Sequence, residues 1–226
     1  MPRPHSHLFE VEAQFPVVGD SLTVAFPVWT PGSYLVREYA RHVQDLVATT
    51  VGGDPVPIVR VDKRSCRIAC HGRQVRLKYR VYANELTVRT SHLDHTHGYF
   101  NGATLFYYCE EQRDREHRVS VEAPPGWSTA CALEQQGQEF VAKSYDELVD
   151  APFEISPNQP VEFAASGVRH RVMVWGDGPF ETEELLADLK RICEAEASLF
   201  GGLPTKDYWF FLYLADKGRG GLEHAN

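Results

Sequence analysis

The sequence has 226 residues, with 23 Lys or Arg against 31 Asp or Glu, so its formal net charge is −8 at pH 7. An acidic chain is a poor partner for nucleic acid or an anionic membrane, because binding to either depends on neutralising phosphates. An apolar content of 43% is enough to build a core and excludes general disorder. The longest apolar run, residues 208–215, is too short to span a bilayer. We therefore expect neither nucleic acid nor membrane among the partners.

The cysteine content indicates the redox environment. Five cysteines are few and odd in number, and the N-terminal residues lack the apolar segment of a secretory signal. We therefore expect reduced thiols and a cytoplasmic location.

Up to about Gly167 the chain has short apolar stretches separated by glycine and proline, which is typical of an antiparallel β-sandwich. Apolar and polar residues alternate over residues 9–15, 22–26 and 75–82. Successive side chains of a strand point to opposite faces, so this alternation predicts one buried face and one solvated face. Further strands are predicted at residues 104–108, 117–122, 139–142 and 160–164.

A short helix is predicted after Ser144. Ser144 and Glu147 form a capping-box pattern, in which the serine oxygen accepts a hydrogen bond from the backbone N–H three residues later. Leu148 and Val149 supply an apolar face, and Pro152 limits the length of the helix.

After Gly167 the pattern changes to strand, helix and strand, at residues 169–175, 181–200 and 208–214. The helix is amphipathic, and its predicted buried stripe consists of Leu185, Leu189, Ile192 and Leu199. We predict a β-domain at residues 1–167 and the beginning of a second domain at residues 168–226. The fold class is therefore mainly β, and α+β overall.

Three imidazoles, those of His92, His95 and His97, lie within six residues of one another. Histidine nitrogens are common ligands of zinc and copper, so a metal site is one interpretation of this tract. A polar loop with ordinary hydrogen bonds is the interpretation that we favour, because on a strand His92 points away from the other two.

The residues alone identify no complete catalytic site. No histidine is followed by glutamate, so the His-Glu-x-x-His zinc motif is missing from the sequence, and Gly-x-Ser-x-Gly is missing as well. A glycine-rich stretch at residues 218–221 precedes Glu223 and His224, and by itself indicates only a flexible loop.

Several stretches together resemble the glycyl aminopeptidase family of zinc metallopeptidases, and they occur in the order that the family has. They are Trp29-Thr-Pro-Gly-Ser-Tyr34 with Arg37-Glu-Tyr-Ala-Arg-His42, Phe100-Asn-Gly-Ala-Thr-Leu-Phe106, Tyr145-Asp-Glu-Leu-Val-Asp-Ala-Pro-Phe-Glu154, and Gly220-Gly-Leu-Glu-His224. In that family an N-terminal β-domain precedes a thermolysin-like catalytic domain, often followed by a PDZ domain.

The resemblance implies a parent protein that removes small N-terminal residues, glycine or alanine, from peptides by means of zinc-activated water. The family's His-Glu-x-x-His helix follows the Gly-Gly-Leu-Glu-His stretch and has no counterpart in these 226 residues. We therefore expect zinc in the longer parent protein and none in this stretch, which we expect to be inactive alone. Its partners are then the N-terminus of a peptide substrate and the remainder of the catalytic domain.

The resemblance also implies roles for single residues. In related zinc aminopeptidases a Gly-x-Met-Glu-Asn segment lies on the edge strand that pairs with the substrate, and its glutamate binds the free α-amino group. The stretch from Gly221 to His224 looks like its counterpart. This implies that Glu223 recognises the amine, while Gly220 and Gly221 pair with the peptide backbone. Asn101 is a further candidate for the amine site, and a simple turn asparagine is the alternative.

A competing interpretation is a non-catalytic β-sandwich that binds peptide or carbohydrate. Its support is the density of aromatic residues around Trp29, Tyr34, Tyr99 and Phe106. The second piece also presents an exposed edge strand, which predicts self-association. An in-frame His-Glu-x-x-His downstream of residue 226 distinguishes the enzyme from the binding module.

Overall fold

The computed structural model describes residues 1–16, 19–216 and 220–225. Within these ranges the chain forms seventeen strands, three α-helices and three short 3-10 helices. The strands are β1 (Leu8–Phe15), β2 (Ser21–Ala25), β3 (Val43–Thr50), β4 (Pro55–Val56), β5 (Ile58–Arg60), β6 (Ser65–Ala69), β7 (Val75–Tyr82), β8 (His92–Leu93), β9 (Gly98–Asn101), β10 (His117–Ser120), β11 (Ser128–Cys131), β12 (Glu134–Gln136), β13 (Glu139–Ala142), β14 (Pro152–Ser156), β15 (Val161–Ala165), β16 (Val168–Trp175) and β17 (Asp207–Tyr213). The helices are α1 (Gly102–Leu105), α2 (Tyr145–Asp150) and α3 (Thr182–Phe200), and the 3-10 helices are Pro4–Ser6, Tyr39–His42 and Glu110–Gln112. The predicted fold class, mainly β, is confirmed.

Four antiparallel sheets build the first part of the chain, in the strand orders β1-β7-β3-β4, β2-β6-β5, β11-β14-β9-β8 and β10-β13-β12. Strand β7 shows why the alternating pattern forms a sheet. Its residues Leu77 and Tyr79 are buried, whereas Arg76 and Lys78 on the opposite face bind Glu12 of β1 at 2.8 and 3.0 Å. The Lys78 hydrogen bond is the main cause that lowers the pKa of Glu12.

The sheets enclose one continuous apolar core, which includes side chains from every one of them. At its centre the rings of Phe100 and Phe153 stack with centroids 4.7 Å apart, and Phe9 meets Phe100 edge to face at 5.3 Å. The five cysteines are buried and unpaired.

Helices α1 and α2 pack closely against each other. A Cβ added at Gly102 would lie 2.6 Å from the Leu148 carbonyl oxygen, so only glycine allows this approach. The predicted strand at residues 104–108 is wrong, because residues 102–105 turn into α1. Within this turn the Thr104 hydroxyl donates to the Asn101 carbonyl at 2.7 Å, a local bond that competes with a strand ladder.

The predicted cap of α2 is confirmed. Ser144 Oγ accepts from the Glu147 backbone N–H at 3.2 Å, while the Glu147 carboxylate accepts from the backbone N–H of Lys143. Helix α2 ends at Asp150, two residues before Pro152.

The last sheet has the order β15-β16-β17, with β15 antiparallel and β17 parallel to β16. Helix α3 connects the parallel pair, as predicted, and β17 lies at the sheet edge. Gly167, at φ 80°, lies in the turn between β15 and β16. This hairpin therefore spans the position of the predicted domain boundary, and the change of sheet comes earlier, between Ser156 and Val161.

The predicted buried stripe of α3 needs correction. Cys193 and Ala197 are the buried residues of this helix, whereas Ile192 and Leu199 are 55% and 77% exposed. The reason is that α3 packs mainly against β15. The sheet of β15 has only three described strands, so it covers only a narrow strip of the helix. In the described part of the chain, no helix combines the length and apolarity required to cross a membrane.

Candidate functional site

Residues 220–225, which we call the glycine segment, contact three separate parts of the β-domain. Leu222 packs on Gly32, the carbonyl of Gly221 accepts a hydrogen bond from Arg89, and the end of the segment binds Asp150. The stretches at residues 29–34 and 145–154, which carried the family resemblance, therefore both touch the fourth such stretch.

The contact with Gly32 depends on the absence of a side chain. Gly32 has φ 78°, a left-handed conformation, and an added Cβ would overlap Leu222 Cδ1. The turn around Gly32 is held by the Trp29 indole, whose Nε1–H donates to the Ser33 carbonyl at 2.6 Å. Gly32, in the turn that Trp29 and Ser33 hold, is thus the seat of the Leu222 side chain.

Asp150 anchors the other end of the glycine segment. Its Oδ2 accepts from the Ala225 backbone N–H at 3.0 Å, and its Oδ1 lies 3.2 Å from His224 Nδ1. Asp150 is the last residue of α2 and follows the buried pair Leu148 and Val149, so the packing of that helix decides where the carboxylate stands.

Glu223 lies between these anchors, and its own side chain is exposed. Within residues 1–16, 19–216 and 220–225, its carboxylate forms neither a hydrogen bond nor an ion pair with a side chain. Burial raises the pKa of the Tyr208 hydroxyl, and the carboxylates of Glu196, Glu223 and Asp150 raise it further. Glu223 therefore lies near other acidic side chains, and such a position suits a cationic ligand.

Asn101 is placed differently from Glu223. Its side chain is 0% exposed, and its Nδ2 donates to the Val88 carbonyl at 3.3 Å. Its Oδ1 is buried without a hydrogen-bond partner among the described residues. The structure therefore puts Asn101 against the turn that Arg89 belongs to.

The three histidines of the predicted metal alternative differ in environment. His97 is fully buried, with Nε2 at 2.9 Å from His92 Nδ1 and Nδ1 at 3.1 and 3.2 Å from the carboxylate oxygens of Glu154. His95 is exposed. Both nitrogens of His97 are thus occupied within the protein. In the part of the chain that the structure describes, no group of three or more His, Cys, Asp and Glu is placed to hold a metal ion.

The histidine tract instead joins the β-domain to the last sheet. The Trp175 side chain of β16 stacks on the His97 ring with centroids 3.9 Å apart, and the Tyr213 hydroxyl of β17 donates to Glu154 Oε2 at 2.9 Å. We call His92, His97, Glu154 and Tyr213 the polar junction. Sequence reasoning missed it, because strand periodicity does not show which polar residues face each other across a domain contact.

Sequence reasoning also missed Arg89 and Asp150 as contacts of the glycine segment. Asp150 lies inside the stretch at residues 145–154, so the family resemblance could have pointed to this residue. Arg89 lies in none of the stretches quoted for the resemblance, and no pattern in the sequence singles it out.

Comparison with known proteins places this geometry in a family. The Peptidase M61 N-terminal domain family matches residues 1–157. The crystal structure of an aminopeptidase N family protein from Idiomarina loihiensis is 34% identical, with a TM-score of 0.93 over 99% of this chain and 39% of that one. A search of curated proteins gives no match.

More distant structures share the fold. An M1 zinc metallopeptidase from Deinococcus radiodurans is 13% identical, with a TM-score of 0.50 over 93% of this chain and 53% of that one. A mutant of it bound to a Tyr-Ser-Ala substrate is also 13% identical, with a TM-score of 0.55 over 93% of this chain and 54% of that one. The chain thus spans less than two thirds of each of these proteins. Because the family match covers more than half of its residues, the chain belongs to the Peptidase M61 family through the N-terminal domain.

Proposed function

We propose that this chain is the N-terminal part of a cytoplasmic zinc aminopeptidase that removes small N-terminal residues, glycine or alanine, from peptides. In this proposal Glu223 binds the α-ammonium group of the substrate. The observation that carries it is the exposed Glu223 carboxylate, whose neighbours in the chain are anchored by Arg89, Gly32 and Asp150.

The physical basis is the match between a carboxylate, carried by an anchored stretch of backbone, and a cation. A carboxylate beside an ammonium group forms a charge-assisted hydrogen bond, about twice as strong as a neutral one. Because the neighbours of Glu223 are held in place, the entropy lost when the substrate binds comes from the Glu223 side chain and little of it from the backbone. A peptide whose N-terminus is blocked lacks the charge and is rejected.

Gly220 and Gly221 supply the second element of recognition in this proposal. Both residues are exposed and lack side chains, so an extended peptide can approach their backbone and pair with it. Backbone pairing aligns the peptide, and the Glu223 carboxylate then sets its N-terminal end. Asn101 is a further candidate for the amine site in this proposal, because its buried Oδ1 has no hydrogen-bond partner among the described residues.

The described residues do not fit a zinc site, since none of them form a metal-binding group and the sequence contains no His-Glu-x-x-His. In the proposal the zinc ligands come from the remainder of the catalytic domain. When bound, zinc would supply the activated water for peptide hydrolysis. The 226-residue stretch is accordingly proposed to be inactive alone.

The test uses the full-length product of the gene. We expect chelator-sensitive release from glycyl and alanyl anilides, no release from their N-acetylated forms, and a markedly raised KM for Glu223→Gln. Asp146→Asn on the surface of α2 is the matched control, because among the described residues the Asp146 carboxylate pairs only with Arg113. Hydrolysis that the chelator does not inhibit would contradict the proposal. Cleavage of N-acetylated substrates at the same rate as free-amine substrates would contradict it too.

A further inference from the structure

We infer that Arg89 is a positioning residue that sets the place of Glu223, and that the turn at residues 87–90 is a rigid platform for it. This inference rests on the proposed function, because it assigns Arg89 a part in recognising the substrate amine. Nothing in the sequence pattern or in the family match points to Arg89.

The turn is closed by its own side chains. The hydroxyls of Thr87 and Thr90 lie 2.8 Å apart, and the Thr90 hydroxyl also donates to the Glu85 carbonyl at 2.6 Å. The backbone N–H of Arg89 donates to Thr87 Oγ1 at 3.2 Å. Four hydroxyl and backbone groups thus fix the direction in which the Arg89 side chain leaves the turn.

Three buried side chains from elsewhere hold the carbonyls of the same turn. The Val88 carbonyl accepts from the Tyr99 hydroxyl at 3.2 Å and from Asn101 Nδ2 at 3.3 Å, and the Arg89 carbonyl accepts from the Tyr39 hydroxyl at 2.8 Å. Burial raises the pKa of Tyr39 to about 12 and also raises that of Tyr99, so both hydroxyls stay protonated at neutral pH and remain donors.

From this platform the Arg89 side chain reaches the glycine segment. Its Nη2 donates to the Gly221 carbonyl at 3.3 Å, two residues before Glu223. Gly220 lies against the same turn, since a Cβ added there would be 3.7 Å from Val88 Cγ2 and 4.0 Å from Arg89 Nη1. Arg89 therefore sets how far the peptide plane of the Gly221 carbonyl lies from the turn and how that plane is rotated. This peptide plane leads to Glu223.

The contact is unlike an incidental surface hydrogen bond. Incidental contacts of long side chains start from mobile positions, whereas the backbone of Arg89 is held at its N–H and at its carbonyl. The side chain itself is only half-buried and lies outside the apolar core, so its loss leaves the core intact. A substitution at Arg89 can therefore change the position of Glu223 without unfolding the protein.

The test compares Arg89→Met, Arg89→Lys and Glu223→Gln in the full-length protein, with Arg73→Met as a control. Arg73 is a half-exposed arginine whose contacts are Asp54 and the Cys70 carbonyl. We expect Arg89→Met to raise KM for a glycyl anilide about tenfold, the size expected for one charged hydrogen bond, with kcat little changed. Arg89→Lys should recover part of this loss, and Arg73→Met should match the wild type.

A second measurement is independent of turnover. Titration of glycinamide into the metal-free full-length protein, followed by NMR, should show binding that weakens in Arg89→Met and in Glu223→Gln alike. If Glu223→Gln weakens binding and raises KM while Arg89→Met does neither, the positioning role is wrong and the proposed function stands. If Arg89→Met and Arg89→Lys lose kcat and thermal stability equally, the role is only structural and the inference is overturned. If the wild type cleaves no free-amine substrate, the proposed function itself fails.

Discussion

Asp150 accepts a hydrogen bond from the backbone N–H of Ala225, a residue 75 positions later in the chain, at 3.0 Å. With the 3.2 Å contact to His224, this carboxylate fixes the C-terminal end of the glycine segment to helix α2. The surface that carries Glu223 is therefore built by the glycine segment together with distant parts of the chain, and no single part forms it alone.

The Asp150 anchor predicts a local effect of Asp150→Ala. Removal of the carboxylate leaves the Ala225 N–H and the His224 ring without their partner, so the glycine segment should open more often while the core stays folded. Hydrogen exchange followed by mass spectrometry should show faster exchange at residues 222–225 and unchanged exchange in β7. Asp146→Ala, in the first turn of the same helix, is the control, and equal exchange in both variants would contradict the anchor.

The seat of Leu222 predicts a cost for Gly32→Ala that is larger than backbone strain. Gly72 has nearly the same φ, 73° against 78°, but nothing within 4 Å of an added Cβ. Gly72→Ala therefore measures strain alone, about 1–2 kcal/mol, and Gly32→Ala adds the overlap with Leu222. Urea unfolding should show the greater loss for Gly32→Ala, and Gly32→Ala with Leu222→Ala should recover the difference. Equal losses in the two glycine variants would show that Leu222 does not occupy this seat.

The polar junction predicts coupling between Glu154 and Tyr213. Tyr213→Phe removes the shorter of two hydrogen bonds to the buried Glu154 Oε2 and leaves only His97 Nδ1 at 3.2 Å, which should cost about 1–3 kcal/mol of unfolding free energy. In a cycle with Glu154→Gln the two losses should differ from additivity by about 0.5–3 kcal/mol, because the two groups are in direct contact. Tyr82→Phe, an exposed tyrosine, should stay within about 0.5 kcal/mol of the wild type. If the two losses of unfolding free energy are additive, the Glu154 and Tyr213 side chains are not in contact.

The same junction predicts a loss of stability in acid. Burial is the main cause that lowers the pKa of His92 below its ordinary value of 6.5, and the neighbouring His97 lowers it further, although Asp94 acts in the opposite direction. The folded state therefore binds fewer protons than the unfolded state once the pH falls below about 6.5. The unfolding free energy should decrease as the pH falls from about 6.5 through the lower pKa that His92 has in the folded state.

Urea unfolding at several pH values measures this effect, with His92→Asn as the test. His42, His117 and His170 also have pKa values lowered mainly by burial, so the variant should reduce the pH dependence without abolishing it. His95→Asn, at an exposed position outside the polar junction, is the control variant. If the unfolding free energy of His92→Asn depends on pH as strongly as that of the wild type, His92 is not a cause of the acid effect.

Local patterns in the sequence were enough to predict eight of the seventeen described strands and two of the three α-helices. The strands at residues 75–82 and 139–142 form with the predicted bounds, and α2 begins at the predicted Ser144 cap. Their signals act over a few residues: alternation decides which side chains face the core, and a cap satisfies its own helix end. The prediction at residues 104–108 was wrong because Gly102 packs on Leu148, more than forty positions away, and a strand pattern does not contain that contact.

Which residues share a surface was decided by the tertiary structure alone. Arg89 and Gly221 are 132 positions apart, and His97 and Glu154 are 57 apart, so no periodicity links either pair. The motifs at residues 29–34, 145–154 and 220–224 are recognisable in the sequence as a family resemblance. Only the folded chain shows that they meet around Glu223, because their contacts depend on how the sheets and α2 pack around one core.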